Sequence, residues 1–157
     1  MQPQLTAEEI QARQEQTAEL HRRAFNLWEA HSGDYIIPLD GKKAVVKALV
    51  MPQNNSSPFF LDVRGRRINK SQFNILYLDP KRYYNFNYLQ FYTSLKTVWL
   101  LILNDAAGFI EMPSADVREA RKLRPDDPSK LFVPTNSLTW IGDELFNEFF
   151  GLATSVQ

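Results

Sequence analysis

Two carboxylates and a cation stand where they can do chemistry together. Asp40 precedes Gly41 between two apolar runs, and Asp62 lies inside the run Phe59-Phe60-Leu61-Asp62-Val63-Arg64. Asp-Gly between apolar runs signals a hairpin turn, and the second run has the residue types of a strand. Side chains two apart on a strand point to the same face, so Asp62 and Arg64 share one. A neighbouring strand can bring Asp40 beside them. Two carboxylates at a sheet edge can hold Mg²⁺, and a cation next to them can stabilise charge developing on a phosphodiester under attack. The same residues also have a purely structural reading. Asp62 and Arg64 then form a same-face ion pair, and Asp40 is present because Asp-Gly turns favour it.

Other chemistries find little support. His21 and His31 are the only histidines, too far apart in sequence for a helical zinc pair, and both read as surface residues. The chain has no cysteine, which removes disulfides, thiolate ligands and cysteine nucleophiles together. Its 6 glycines form no phosphate-cradling loop, and no Gly-x-Ser-x-Gly elbow occurs.

A second feature is electrostatic. The formal net charge is zero, but residues 1–40 carry −4, residues 41–100 carry +8 and residues 101–157 carry −4. The basic middle places Arg64, Arg66, Arg67, Lys70, Lys81 and Arg82 close in sequence to Tyr77, Tyr83, Tyr84, Phe86 and Tyr88. Cations for phosphates and rings for stacking are the ingredients of contact with flexible nucleic acid. A tyrosine-rich patch equally suits a protein partner. The third reading makes the rings core and the cations a solvated rim.

The elements that must position these groups follow from pattern and capping. Residues 1–5 should fray. Thr6-Ala7-Glu8-Glu9 is a capping box that opens a helix over 6–32, with Ile10, Thr17, Leu20, Ala24, Leu27 and Trp28 near one stripe and Gly33 as its stop. The stripe is thin before Leu20, so firm docking should begin there. Residues 34–113 should be mainly β. Strands are expected at 34–39, 42–51, 59–64 and 72–78, then the continuous apolar run Thr97 to Leu103 as a central strand, then Phe109 to Met112. Lys81 to Tyr92 is compatible with a loop or a short helix. Residues 114–151 should be helical in the main, with one helix capped by Ser114, a short strand at Leu131-Phe132-Val133 and a last helix from Asp143 to Phe150.

The segment from Asp40 through Arg64 resembles the core of the PD-(D/E)XK nuclease superfamily, the restriction-endonuclease-like fold. Pro38-Leu39-Asp40 stands near where such families place a first acid, and Asp62-Val63-Arg64 stands where they place (D/E)-x-K. The later order of buried strand, turn, aromatic strand ending at Pro113 and helix is similar too, so the likeness spans about residues 18–122. It implies Asp40 and Asp62 as ligands of Mg²⁺, Arg64 as a stabiliser of negative charge, and Glu19 as a helix-borne acid that assists. Arg64 occupies the lysine position of the motif. A guanidinium stays protonated and cannot serve as a base.

Length and composition set the frame. The chain has 157 residues, 44% of them hydrophobic, with 11 Phe, 6 Tyr and 3 Trp, enough for one domain with a real core. No apolar run approaches the roughly 20 residues of a membrane span, and Met1 to Glu19 is too polar for a secretory signal, so a cytoplasmic protein is expected. The expected architecture is α/β or α+β: a single mixed sheet of five or six strands, flanked by the long N-terminal helix and two C-terminal helices. The expected function is nucleic-acid association, with metal-dependent hydrolysis of DNA or a non-catalytic module as its two forms. The module would hold nucleic acid or a protein through residues 64–92.

Overall fold

The computed structural model describes residues 3–39, 46–119 and 130–151. Helix α1 runs Ala7–Ser32 and opens on the expected capping box: Glu9 N–H donates to Thr6 Oγ1 at 3.1 Å and Thr6 N–H donates to Glu9 Oε2 at 3.3 Å. It ends at Gly33, whose φ of 76° is one that few residues other than glycine accept. Its buried residues are Ala24, Leu27 and Trp28, all in the second half, as the thin early stripe implied.

Strands β1 (Tyr35–Pro38), β2 (Ala48–Met51) and β3 (Phe59–Gly65) form an antiparallel meander. After β3 come β4 (Ile75–Leu78) and helix α2 (Pro80–Thr93). Of the loop and the short helix open to Lys81 to Tyr92, the structure takes the helix. Pro80 fits the first turn, and the Asp79 carboxylate accepts from Lys81 N–H at 2.9 Å, so the start is capped on both counts. Strand β5 (Thr97–Ile102) then returns parallel to β3, with Asp62 level with Trp99. The remaining elements are β6 (Ala107–Met112), β7 (Arg118–Glu119), β8 (Leu131–Pro134), β9 (Thr139–Trp140) and α3 (Asp143–Phe150).

The main sheet has the order β1-β2-β3-β5-β6-β9 and is mixed, because only β3 and β5 run parallel. All six residues of β5 are buried, which explains its unbroken apolar run. On one face, Leu61, Val63, Val98, Leu100 and Ile102 pack against Ala24, Leu27 and Trp28 of α1 and Phe146 of α3. On the other, Trp99, Leu101, Ile110 and Met112 pack against Leu76, Leu78, Val133 and Phe86 of α2.

Two expectations need correction. The sheet is not single: β4 leaves the main sheet, because β5 occupies the open edge of β3, and pairs instead in a second sheet of order β4-β8-β7. No helix starts at Ser114. The Ser114 hydroxyl accepts from Asp116 N–H at 3.1 Å and closes a turn, after which Arg118 and Glu119 pair with Phe132 and Leu131. A short side chain that bonds the nearby backbone competes with helix formation, and here a strand ladder takes the next groups. Of the two expected C-terminal helices, α3 is described. The Asp40-Gly41 turn lies outside the described residues.

Candidate functional site

Asp62 is carried by β3 onto the sheet face that α2 covers, and its side chain is fully buried. Its Oδ2 accepts a hydrogen bond from Nη1 of Arg82, which reaches in from the first turn of α2. Burial pushes the Asp62 carboxyl above its ordinary range, while Arg82 and, more weakly, Lys47 pull it back. The pairing serves both partners. A cation in the first turn of a helix opposes the helix dipole, and Asp62 compensates Arg82 there. Arg64 is exposed at the end of β3 and is not the partner of Asp62. The expected same-face ion pair is therefore replaced by one between strand and helix. Three buried polar atoms on the described residues have no hydrogen-bond partner: Asp62 Oδ1, Thr97 Oγ1 and Trp99 Nε1.

This environment does not suit a divalent cation at Asp62. One oxygen is held by a guanidinium, the other is enclosed, and Arg82 and Lys47 supply like charge around it. Among the described residues no group of three or more His, Asp or Glu side chains could hold a metal ion. Asp40, the second expected ligand, lies outside the described residues.

Glu19 is not part of this face. It projects from α1, whose buried side covers the opposite face of the sheet. Its carboxylate accepts from Arg22 Nη2 at 2.5 Å and from Arg23 Nε at 2.9 Å, and these hydrogen bonds lower its pKa to about 2. It is engaged within its own helix and does not join Asp62. His21, expected at the surface, is half-buried with its ring stacked on Phe25, and burial followed by Lys47 lowers its pKa.

The cations do converge, at another place. The carboxyl ends of β3 and β5 meet α1 in a groove of about 470 Å³. Arg13 and Arg23 come from α1, and Arg66 and Arg67 from just beyond β3. Gly65 forms part of the wall, and Leu20 lies so close that a Cβ there would meet its Cδ2 at 2.8 Å. Among the described residues no carboxylate lines the groove, and Arg23 there is paired with Glu19 of its own helix. Arg66 is partly buried, and desolvation, followed by the nearby charges of Arg64 and Arg82, lowers its pKa. Sequence reasoning named Arg66 and Arg67 but missed Arg13 and Arg23. The signal was available, since Arg13, Gln16, Thr17, Leu20 and Arg23 recur at helical spacing on one side of α1.

The other expected contact residues divide. Lys70 lies over the Trp140 ring at 4.3 Å, and its backbone N–H donates to Asp105 Oδ1 at 2.8 Å. Lys81 is exposed at the start of α2, and its backbone N–H is taken by the Asp79 cap. Tyr83 packs against the second core cluster, with Phe86 fully buried beside it, so these two rings are core. Tyr84 is 61% exposed.

No family model and no curated protein sequence matches this chain. Among solved structures, it is similar to Hjc of Archaeoglobus fulgidus, a Holliday junction resolvase from an archaeal hyperthermophile. The TM-score is 0.54 and the identity 14%, over 82% of this chain and 93% of that one. The restriction-endonuclease-like fold expected from the Asp40 to Arg64 segment is thereby found in the structure: a long N-terminal helix, a six-stranded mixed sheet and a C-terminal helix, in the arrangement of a resolvase. No described helix is long and apolar enough to cross a membrane.

Proposed function

We propose that this chain is a nucleic-acid-binding domain of resolvase-like fold, and that Asp62 holds α2 in place instead of holding a catalytic metal. The observation that carries the reading is the groove lined by Arg13, Arg66 and Arg67 together with Arg23, which is paired with Glu19, and with no carboxylate among its described lining residues. In open α/β sheets, ligands bind outside the carboxyl ends of the strands, and that is where β3 and β5 open onto this groove. Arginines gathered there match the planar, multi-oxygen geometry of phosphate. The fold of a Holliday junction resolvase, a protein named for acting on a DNA junction, supports the same direction.

The test is a fluorescence-anisotropy titration with single-stranded DNA, duplex DNA and RNA at low and moderate salt, with Mg²⁺ present and the products resolved on a gel. The expected result is salt-sensitive binding without cleavage, weakened by Arg66→Ala. No binding at low salt would overturn the reading, since cationic surfaces bind most readily there. Cleavage that disappears in Asp62→Ala would overturn the structural role of Asp62 and return Asp40 and Asp62 to a Mg²⁺-dependent hydrolytic site.

A further inference from the structure

The groove that gathers the arginines has an apolar floor. Leu20 of α1, Ile102 at the end of β5, Leu103 and Phe150 of α3 line it, and Gly65 adds no side chain beside Leu20. Leu20 and Phe150 are only partly buried against the first core cluster. The Phe150 ring lies nearly parallel to that of Phe146, with centroids 5.3 Å apart, so its orientation is set by its own helix. The remaining lining is neutral and polar: the Thr17 hydroxyl and the amides of Gln16 and Asn104. Arg66 is half-buried, donates from Nη1 to the Gly65 carbonyl at 3.4 Å, and has no carboxylate partner among the described residues. A cation partly withdrawn from water without a counter-charge favours an anion.

We infer that this groove receives one unpaired nucleotide of a strand, with its phosphate on Arg66 and Arg67 and the face of its base on Leu20 and Phe150. The inference rests on the nucleic-acid reading and names the part of the strand that the groove holds. Two kinds of surface have to be matched at once. A phosphate backbone that passes over the arginines leaves the apolar floor in water, and so does an inorganic anion. A nucleotide has both parts, an anionic phosphate and a flat base with an apolar face and polar edges. Inside a duplex that face is covered by the neighbouring bases, and only the edges can be reached from the grooves. The floor therefore meets a base only after the base has left the stack. Amides both donate and accept, so Gln16 and Asn104 suit the edges of any base. The volume of about 470 Å³ falls among sites for small molecules, roughly 300–1,000 Å³, and suits one nucleotide, not a helix. Because Phe146 orders the Phe150 ring in advance, little side-chain freedom is lost on binding.

Anisotropy titration of the full chain at low salt tests it with three labelled probes of equal length: a single-stranded oligothymidylate, a strand with the same phosphates and no bases, and a blunt duplex. The expected result is that the oligothymidylate binds about tenfold tighter than the abasic strand, the size of one stacked base, and tighter than the duplex. Phe150→Leu keeps apolar bulk and removes the ring, so it should take away most of that preference while the abasic strand binds as before. A cross-linking experiment needs no variant. Irradiating the wild-type complex with an iodouracil-substituted strand should give an adduct on the peptide that contains Phe150. Equal affinity for the oligothymidylate and the abasic strand overturns the inference and leaves the nucleic-acid reading standing as a backbone contact. A duplex bound as tightly as the single strand, a preference indifferent to Phe150→Leu, or an adduct that maps outside the groove overturns it as well. No binding of any probe at low salt overturns both readings.

Discussion

Arg82 of α2 holds Asp62 of β3, although Arg64 lies two residues from Asp62 on the same strand. The bond joins the sheet to the helix that covers it, and the carboxylate end is fully buried. Removing one partner of such a pair leaves a buried charge without compensation. Arg82→Ala should therefore destabilise the fold by about 3 kcal/mol, the lower end for a broken buried pair because Arg82 keeps some contact with water. Asp62→Ala with Arg82→Ala should cost less than the sum of the two single changes. Urea unfolding of the three variants checks both, and strict additivity would mean that the pair contributes nothing.

The same burial sets a pH dependence with a definite sign. The Asp62 carboxyl is raised above its ordinary value of 3.8, chiefly by desolvation, so the folded state holds the proton more tightly than the unfolded chain. Its contribution to stability is full below that ordinary value and is lost as pH rises through the raised one. Glu19 acts in the opposite sense. Its pKa falls from 4.5 to about 2, so its contribution is present above 4.5 and is lost as pH drops toward 2. The unfolding free energy of wild type relative to Asp62→Asn should decline as pH rises above 3.8. The same comparison with Glu19→Gln should decline as pH falls below 4.5. A flat difference in either series would show that the group titrates alike in both states.

The backbone of the site was legible in the sequence to the extent that local rules decide it. The capping box at Thr6 and Glu9, the buried run Thr97 to Leu103 and the strand around Asp62 all depend on neighbours in the chain, and each appears where the pattern placed it. What could not be read was the choice among partners far apart in sequence. Arg64 and Arg82 were both available to Asp62, and the helical state of Lys81 to Tyr92 decides in favour of Arg82 by turning it inward. Arg13 and Arg23 were hidden for the same reason. They join Arg66 and Arg67 only after α1 lies across the ends of β3 and β5. Ser114 failed as a helix cap because its hydroxyl serves a turn and the backbone beyond finds β8.

Thr97 offers a test of the polar atoms left over in that core. Its hydroxyl is fully buried on β5 and has no hydrogen-bond partner among the described residues. A hydroxyl buried in that state loses its bonds to water and gains none, whereas valine has the same branched shape without the polar atom. Thr97→Val should raise the unfolding free energy by about 1 kcal/mol. A loss of comparable size in denaturant unfolding would reveal an internal water that bonds the hydroxyl.

The groove should show itself in the salt dependence of nucleic-acid binding before it shows in any sequence preference. Each cation that neutralises a phosphate releases a counterion, and the slope of log affinity against log salt falls by about 0.9 for duplex and about 0.7 for single strands when one such cation is removed. Arg66→Ala and Arg67→Ala should each flatten the slope by about that amount, uniformly across sequences. Arg13→Ala should do the same from the α1 side of the groove. Arg22 is the control, because it is engaged with Glu19 and does not line the groove. Arg22→Ala should leave the slope unchanged. Equal flattening by Arg22→Ala and Arg66→Ala would mean that binding is spread over the general positive surface and that the groove has no special part in it.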